Sequence, residues 1–183
     1  MAELKLFMGC MFASKTEELI RQYNRYKLIG KNIIVIKPKI DVRYGNESIT
    51  THSNITINAF SVDGLLKFQF NHTREFEKAD VIIIDEAQFF NDLEVAVCWV
   101  ELRNKTVIMG GLSGDFKRKP FKAISDIIPY CDEVIHLSAL CLKCGDGTRA
   151  KFTKRTVDIG EQTLIGGAEA YVSVCRKHYL NNE

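Results

Sequence analysis

Near the start of the chain an apolar run, Leu4 to Met8, leads into Gly9-Cys10-Met11-Phe12-Ala13-Ser14-Lys15-Thr16. This is the phosphate-binding pattern G-x-x-x-x-G-K-[ST] with one letter changed: Ser14 stands where the second glycine belongs. In such a loop, backbone N–H groups cradle phosphates, the lysine reaches the β- and γ-phosphates, and the hydroxyl of the following residue holds Mg²⁺. Further on, Val81-Ile82-Ile83-Ile84 ends in Asp85-Glu86. An apolar strand ending in Asp supplies the carboxylate that faces Mg²⁺ across from the phosphate loop. The next residue, Glu86, falls on the other side of the strand and could take a proton from a nucleophile. Many ATPases use the same pair to activate water, so the pair leaves the reaction open.

The six cysteines fall unevenly. Cys10, Cys98 and Cys131 are isolated, whereas Cys141-Leu142-Lys143-Cys144 is a C-x-x-C and Cys175-Arg176-Lys177-His178 a C-x-x-H. Two close pairs separated by roughly thirty residues match a Cys₃His zinc site, and four protein ligands leave no open position, so this zinc would hold structure. A redox C-x-x-C would want a thioredoxin-like setting that the chain lacks. His52, His72 and His136 show no partner in sequence and are read as ordinary surface or core histidines. A fourth segment, Gly110-Gly111-Leu112-Ser113-Gly114-Asp115-Phe116 followed by Lys117-Arg118-Lys119-Pro120-Phe121, reads as a loop at the carboxyl edge of a sheet, where open α/β folds bind ligands. Phe116 either joins the core or faces a base.

These residues need a scaffold, and the apolar patterning provides one. Strands are expected at Leu4–Met8, Asn32–Lys37, Val81–Ile84, Thr106–Met109 and Glu133–Leu137. A helix follows the phosphate loop, with Leu19, Ile20, Tyr23 and Tyr26 at helical spacing, and others lie near Val62–Asn71, Leu93–Leu102 and Phe121–Ile128. Near-continuous Val/Ile strands alternating with helices predict a parallel sheet covered on both faces. The pattern breaks after Leu140, leaving the Cys/His pairs, two short strand-like pieces (Lys151–Lys154 and Gln162–Ile165) and a Gly166-Gly167 turn. So short a segment builds little core and suits a metal-stapled lobe. The expected division is a nucleotide-binding α/β domain over 1–140 and a zinc lobe over 141–183. At 183 residues, 46% hydrophobic and with a net charge of +2, the chain has the composition of one main domain with a small appendage. No cationic block predicts nucleic-acid or membrane binding; Lys117-Arg118-Lys119 and Lys154-Arg155 are read as solvated faces or local phosphate contacts. The start Met-Ala-Glu-Leu-Lys has no signal-peptide layout, so a cytoplasmic location is expected.

Together these pieces resemble the type II thymidine kinases, the cytosolic, bacterial and large-DNA-virus group, over nearly the whole chain. Asp41-Val42-Arg43-Tyr44, Asp85 to Phe90, Leu112 to Phe121, Cys141 to Cys144, Ile165-Gly166-Gly167 with Tyr171, and Cys175 to His178 match that family's motifs in order and spacing. The resemblance implies a P-loop (RecA-like) fold with a small C-terminal zinc-binding lobe. It also implies transfer of the γ-phosphoryl of ATP, bound with Mg²⁺, to the 5′-hydroxyl of thymidine and of deoxyuridine, in pyrimidine salvage. Glu86 matches the general base. Gly9, Cys10, Met11, Phe12, Ala13, Ser14, Lys15, Thr16, Asp41, Arg43, Asp85 and Gln88 match the ATP site, with Thr16 and Asp85 on the Mg²⁺ side. Met11, Phe89, Leu112, Phe116, Thr153 and Tyr171 match the nucleoside pocket, and Gln162, Thr163, Leu164, Ile165 and Gly166 match a lasso loop that closes over the base. Zn²⁺ on Cys141, Cys144, Cys175 and His178, a homotetramer, and feedback inhibition by thymidine triphosphate complete what the resemblance implies. The chain departs from the family pattern at Cys10, Ser14 and Ser113, which replace proline, glycine and aspartate. A Cβ at position 14 costs space or strain, so reduced activity is expected, with an inactive homologue as the alternative.

Overall fold

The computed structural model describes residues 2–41, 48–50, 55–157 and 169–181. In chain order the elements are β1 (Leu4–Gly9), α1 (Lys15–Leu28), β2 (Ile33–Pro38), β3 (Ser48–Thr50), β4 (Thr56–Asn58), β5 (Phe60–Val62), α2 (Leu65–Asn71), α3 (Thr73–Lys78) and β6 (Val81–Ile84). Then come α4 (Val95–Glu101), β7 (Thr106–Leu112), α5 (Lys122–Ile127), β8 (Glu133–His136), β9 (Ala139–Leu140), β10 (Arg149–Ala150), β11 (Phe152–Arg155), β12 (Tyr171–Val174) and α6 (Arg176–Leu180). The five strands expected from the Val/Ile runs are all present. With β5 they form one six-stranded sheet in the order β5-β2-β6-β7-β1-β8. Every pairing in it is parallel. All strands therefore end at one edge, and β7 separates the phosphate-loop strand β1 from the acidic strand β6.

Strand alternation sorts the core into two layers, as the period-2 geometry of a strand requires. Leu4, Leu6, Ile34, Ile36, Ile82, Ile84, Val107 and Met109 face α2 to α5, packing with Phe68, Phe76, Trp99 and Ile124. Phe7, Val35, Val81, Ile83 and Ile108 face the other way, against Leu19 and Ile20 of α1. A buried cation braces the first layer: the Lys105 ammonium donates to the carbonyls of Glu77 and Ala79, at 2.9 and 2.6 Å, and so closes the carboxyl end of α3.

One expectation is revised and two short elements are added. Gly110 and Gly111 belong to β7 rather than to a loop. A Cβ on Gly110 would come within 2.8 Å of Leu19, and one on Gly111 within 2.6 Å of Ile124, so the pair lets α1 and α5 approach from opposite faces. The helix expected near Val62–Asn71 is α2, Leu65–Asn71; the short edge strand β5 before it and the short helix α3 after it are not expected from the sequence. Beyond β8, the pairs β9–β10 and β11–β12 are antiparallel. No helix among the described residues is long and apolar enough to cross a membrane.

Candidate active site

The chemistry-bearing residues meet at the carboxyl edge of the sheet. β1 ends at Gly9, where a Cβ would sit 2.8 Å from the Leu137 carbonyl; glycine there lets the chain turn close beneath β8's exit. The turn from Gly9 to Lys15 aims the amino end of α1, a 14-residue helix, at the strand edge, the arrangement that presents N–H groups to an anion. Lys15 is the first residue of α1 and is buried; its ammonium donates to the Cys10 carbonyl at 2.7 Å and closes the loop on itself. Ser14, at the helix amino terminus, lies in the left-handed region at φ 56°, ψ 33°. Phe12 is also left-handed, at φ 63°. Glycine reaches this conformation without penalty, whereas a residue with a Cβ pays of the order of 1 kcal/mol or more. The one letter by which the loop departs from its pattern therefore falls on a backbone geometry that asks for glycine.

Asp85 and Glu86 separate as strand alternation predicts. Asp85 continues the face of Val81 and Ile83, toward α1, and its carboxylate accepts from the Thr16 hydroxyl at 3.1 Å. Its other oxygen accepts from the Glu86 amide at 2.9 Å. Glu86, at φ 50°, turns away and accepts from the Gln88 side-chain amide at 2.5 Å. Gln88 is buried, and its carbonyl oxygen takes the Leu112 amide at 3.0 Å. Gln88, assigned to ATP by resemblance, thus ties Glu86 to the end of β7. A non-glycine left-handed residue in this position is strain of the kind that gathers at working sites.

Beside this edge lies an aromatic group. Phe89 and Phe121 meet edge-on, with ring centroids 6.3 Å apart. Phe116 lies outside the core clusters and is half-buried. It sits on a tight turn in which the Asp115 carboxylate accepts from the amides of Lys117 and Lys119, both at 2.8 Å. The Thr153 hydroxyl accepts from the Met11 amide at 3.0 Å, joining β11 to the phosphate loop. The Cys10 thiol faces the Ala150 carbonyl at 3.5 Å, and Cys10 and Ala13 pack in one cluster with Cys141, Ala150 and Val174. Leu112 and Met11 are half-buried at the same edge, and Tyr171 is buried on β12. Asp41 is buried, its amide bonded to the Pro38 carbonyl at 3.0 Å. Arg43 and the lasso residues Gln162, Thr163, Leu164, Ile165 and Gly166 lie outside the described residues.

Of the basic runs, Lys117, Arg118 and Lys119 are exposed as expected of a solvated face, whereas Lys154 and Arg155 are half-buried. The Lys154 ammonium donates to the carbonyls of His178 and Asn181, at 3.0 and 2.7 Å, at the carboxyl end of α6. The Arg118 guanidinium lies 4.6 Å from the Tyr179 ring centroid, and that of Arg155 lies 3.9 Å from Phe116's. The β11–β12 register sets Lys154 opposite Val172 and Arg155 opposite Tyr171, a placement that no local pattern reveals.

Cys141, Cys144, Cys175 and His178 converge, with all four candidate ligand atoms within 4.8 Å of one another. The Cys144 and Cys175 sulfurs are 3.8 Å apart, and His178 Nδ1 lies 3.4 to 3.5 Å from the three sulfurs. Bonds of ~2.3 Å to sulfur and ~2.0 Å to nitrogen in a tetrahedron put the ligands ~3.5–3.8 Å apart, so these four residues fit zinc. Burial alone would push the Cys141 thiol up, but the Cys175 and Cys144 amides and His178 outweigh it and bring it down to about 6, readying one thiolate. Cys131, remote from the cluster, is instead pushed up to about 11 by burial and by Asp132.

A parallel sheet with a phosphate loop after one strand, an acidic pair two strands away and a Cys₃His knot beyond defines a P-loop α/β protein with a zinc-type lobe. The sequence profile of the thymidine kinase family matches residues 2–179. The chain is 41% identical over 184 residues to a thymidine kinase of Oryza sativa subsp. japonica, covering 99% of this chain and 67% of that one. It is 39% identical to that of rabbit fibroma virus over 97% of this chain and 96% of the viral one. With that of Bacteroides thetaiotaomicron it shares 38% identity over 97% of this chain and 86% of the bacterial one. This chain belongs to the thymidine kinase family.

Proposed function

We propose that this protein transfers the γ-phosphoryl group of ATP to the 5′-hydroxyl of thymidine, and accepts deoxyuridine as well. The observation that carries the reading is the division of labour at the end of β6: Asp85 turns to Thr16 and the phosphate loop, and Glu86 turns away from it, held by Gln88. Phosphoryl transfer needs both, one carboxylate on the phosphate side and one to take the hydroxyl proton. Lys15 and the loop amides would bind the β- and γ-phosphates. Thr16 and Asp85 would hold Mg²⁺, which neutralises charge on the phosphates when bound. Asp41 and Arg43 would serve the same side of the site. Glu86 Oε would accept the 5′-hydroxyl proton. Met11, Phe89, Leu112, Phe116, Thr153 and Tyr171 would line the nucleoside, under the loop from Gln162 to Gly166. Residues 1–140 would form the nucleotide-binding domain and 141–183 the zinc lobe. A homotetramer, a cytoplasmic location and inhibition by thymidine triphosphate belong to the same reading.

The test is transfer of labelled γ-phosphate from MgATP to thymidine by zinc-loaded protein, with Asp85→Asn as the control. Labelled thymidine monophosphate that disappears in the control supports the reading. Release of free phosphate alone would favour an ATPase, and no turnover an inactive homologue.

The left-handed backbone at Ser14 favours that second, inactive or weakened, reading. Ser14→Gly separates the two. Relief of roughly 1–2 kcal/mol of backbone strain is expected to tighten ATP binding and raise turnover several-fold. An unchanged ATP Kd together with unchanged kcat would dismiss the strain argument.

A further inference from the structure

The antiparallel register of β11 and β12 sets Arg155 directly opposite Tyr171. Its guanidinium donates to the Tyr171 hydroxyl at 3.0 Å and lies 5.5 Å from that ring's centroid. The same guanidinium lies 3.9 Å from the centroid of Phe116, a residue of the loop after β7. Phe116 is fixed from behind as well, since its carbonyl accepts from the Tyr179 hydroxyl at 2.8 Å. Thr153, two residues earlier on the same face of β11, bonds the phosphate loop through the Met11 amide. One planar cation thus joins two aromatic side chains that come from different parts of the chain.

We propose that Arg155 is a positioning residue for nucleoside binding: it locks Phe116 and Tyr171 at a fixed mutual angle and so sets the width of the slot that receives the base. This rests on the reading of Phe116 and Tyr171 as pocket walls. The guanidinium suits the task because it is flat, permanently charged and able to stack and donate at once. A lysine ammonium keeps the charge but loses the plane. Rings released from the stack would sample several orientations, and binding would then bear the entropy of ordering them. The phosphate site, held by β1 and α1, would be left unchanged.

The test compares Arg155→Lys and Arg155→Met with the parent protein, reading kcat, KM for thymidine, KM for ATP, thymidine Kd by calorimetry, and zinc content. The expected result is a rise of about tenfold in thymidine KM and Kd in both variants, with kcat, ATP KM and zinc content within about twofold. A thymidine Kd unchanged in both would overturn the proposal, as would parallel loss of zinc, ATP affinity and kcat, the signature of a merely structural residue. Should both variants fail to fold, Tyr171→Phe removes only the hydroxyl that Arg155 grips. A thymidine Kd raised about threefold supports the clamp, and an unchanged one overturns it. Parent protein that binds thymidine without phosphorylating it would sink the kinase reading, while the Kd comparison still decides the role of Arg155. Parent protein that does not bind thymidine would sink both.

Discussion

Glu86→Gln is expected to lower kcat by about 10²- to 10⁴-fold while leaving thymidine and ATP affinity nearly unchanged, the loss typical of removing a positioned general base. The substitution is close to isosteric. A glutamine carbonyl at position 86 can still accept the 2.5 Å hydrogen bond from Gln88, so the end of β6 keeps its shape. What it cannot do is take a proton. Asp85→Asn should behave differently, because Asp85 faces Thr16 at 3.1 Å and the phosphate side; its loss should weaken the Mg²⁺ dependence and raise ATP KM as well as lower kcat. Steady-state kinetics against both substrates, across Mg²⁺ concentrations, check this. Equal effects of the two substitutions on every parameter would mean that the acidic pair acts as one unit, and the assignment of separate tasks would fail.

Metal removal should be the other large effect. Purified protein is expected to carry one zinc per chain, and Cys175→Ala to lose it. Cys141 and Cys144 lie in the turn after β9, Cys175 between β12 and α6, and His178 in α6, where Cys141, Ala150 and Val174 belong to a small core. Structural zinc contributes about 10–16 kcal/mol of apparent binding energy in small peptide sites. Loss of even ~5 kcal/mol here would lower Tm by about 10–20 °C in a chain of this length. Metal analysis and thermal unfolding before and after chelation check it. A chelated protein that keeps its Tm would show that the four residues pack without needing an ion.

Much of this architecture could be read in advance. Val81 to Ile84, an unbroken apolar run, is what a strand buried on both faces requires, and all four residues are at most 1% exposed. The phosphate loop, the acidic pair and the two Cys/His pairs were legible because each depends on spacing within a few residues. What stayed hidden depends on register or on very short elements. β5 has only three residues, Phe60 to Val62, and merges with the apolar start of α2 in any local reading. α3, the six residues Thr73 to Lys78, is too short to show a helical period and is not expected from the sequence. The Gly110-Gly111 pair suggested a loop because glycine is common there; only the close passage of Leu19 and Ile124 on either side explains it within a strand. Arg155 looked like half of a solvated basic pair, because its partners lie 16 and 39 positions away along the chain (171 − 155 and 155 − 116).

The hydrogen bond from the Met11 amide to Thr153, 3.0 Å long, has a thermodynamic consequence. It fastens the loop proposed to grip the triphosphate to the strand that carries one wall of the proposed nucleoside slot. If occupying either site tightens that joint, the two ligands cannot bind as independent events. Whatever factor one adds to the affinity of the other must be returned in equal measure, because linkage between two sites is reciprocal.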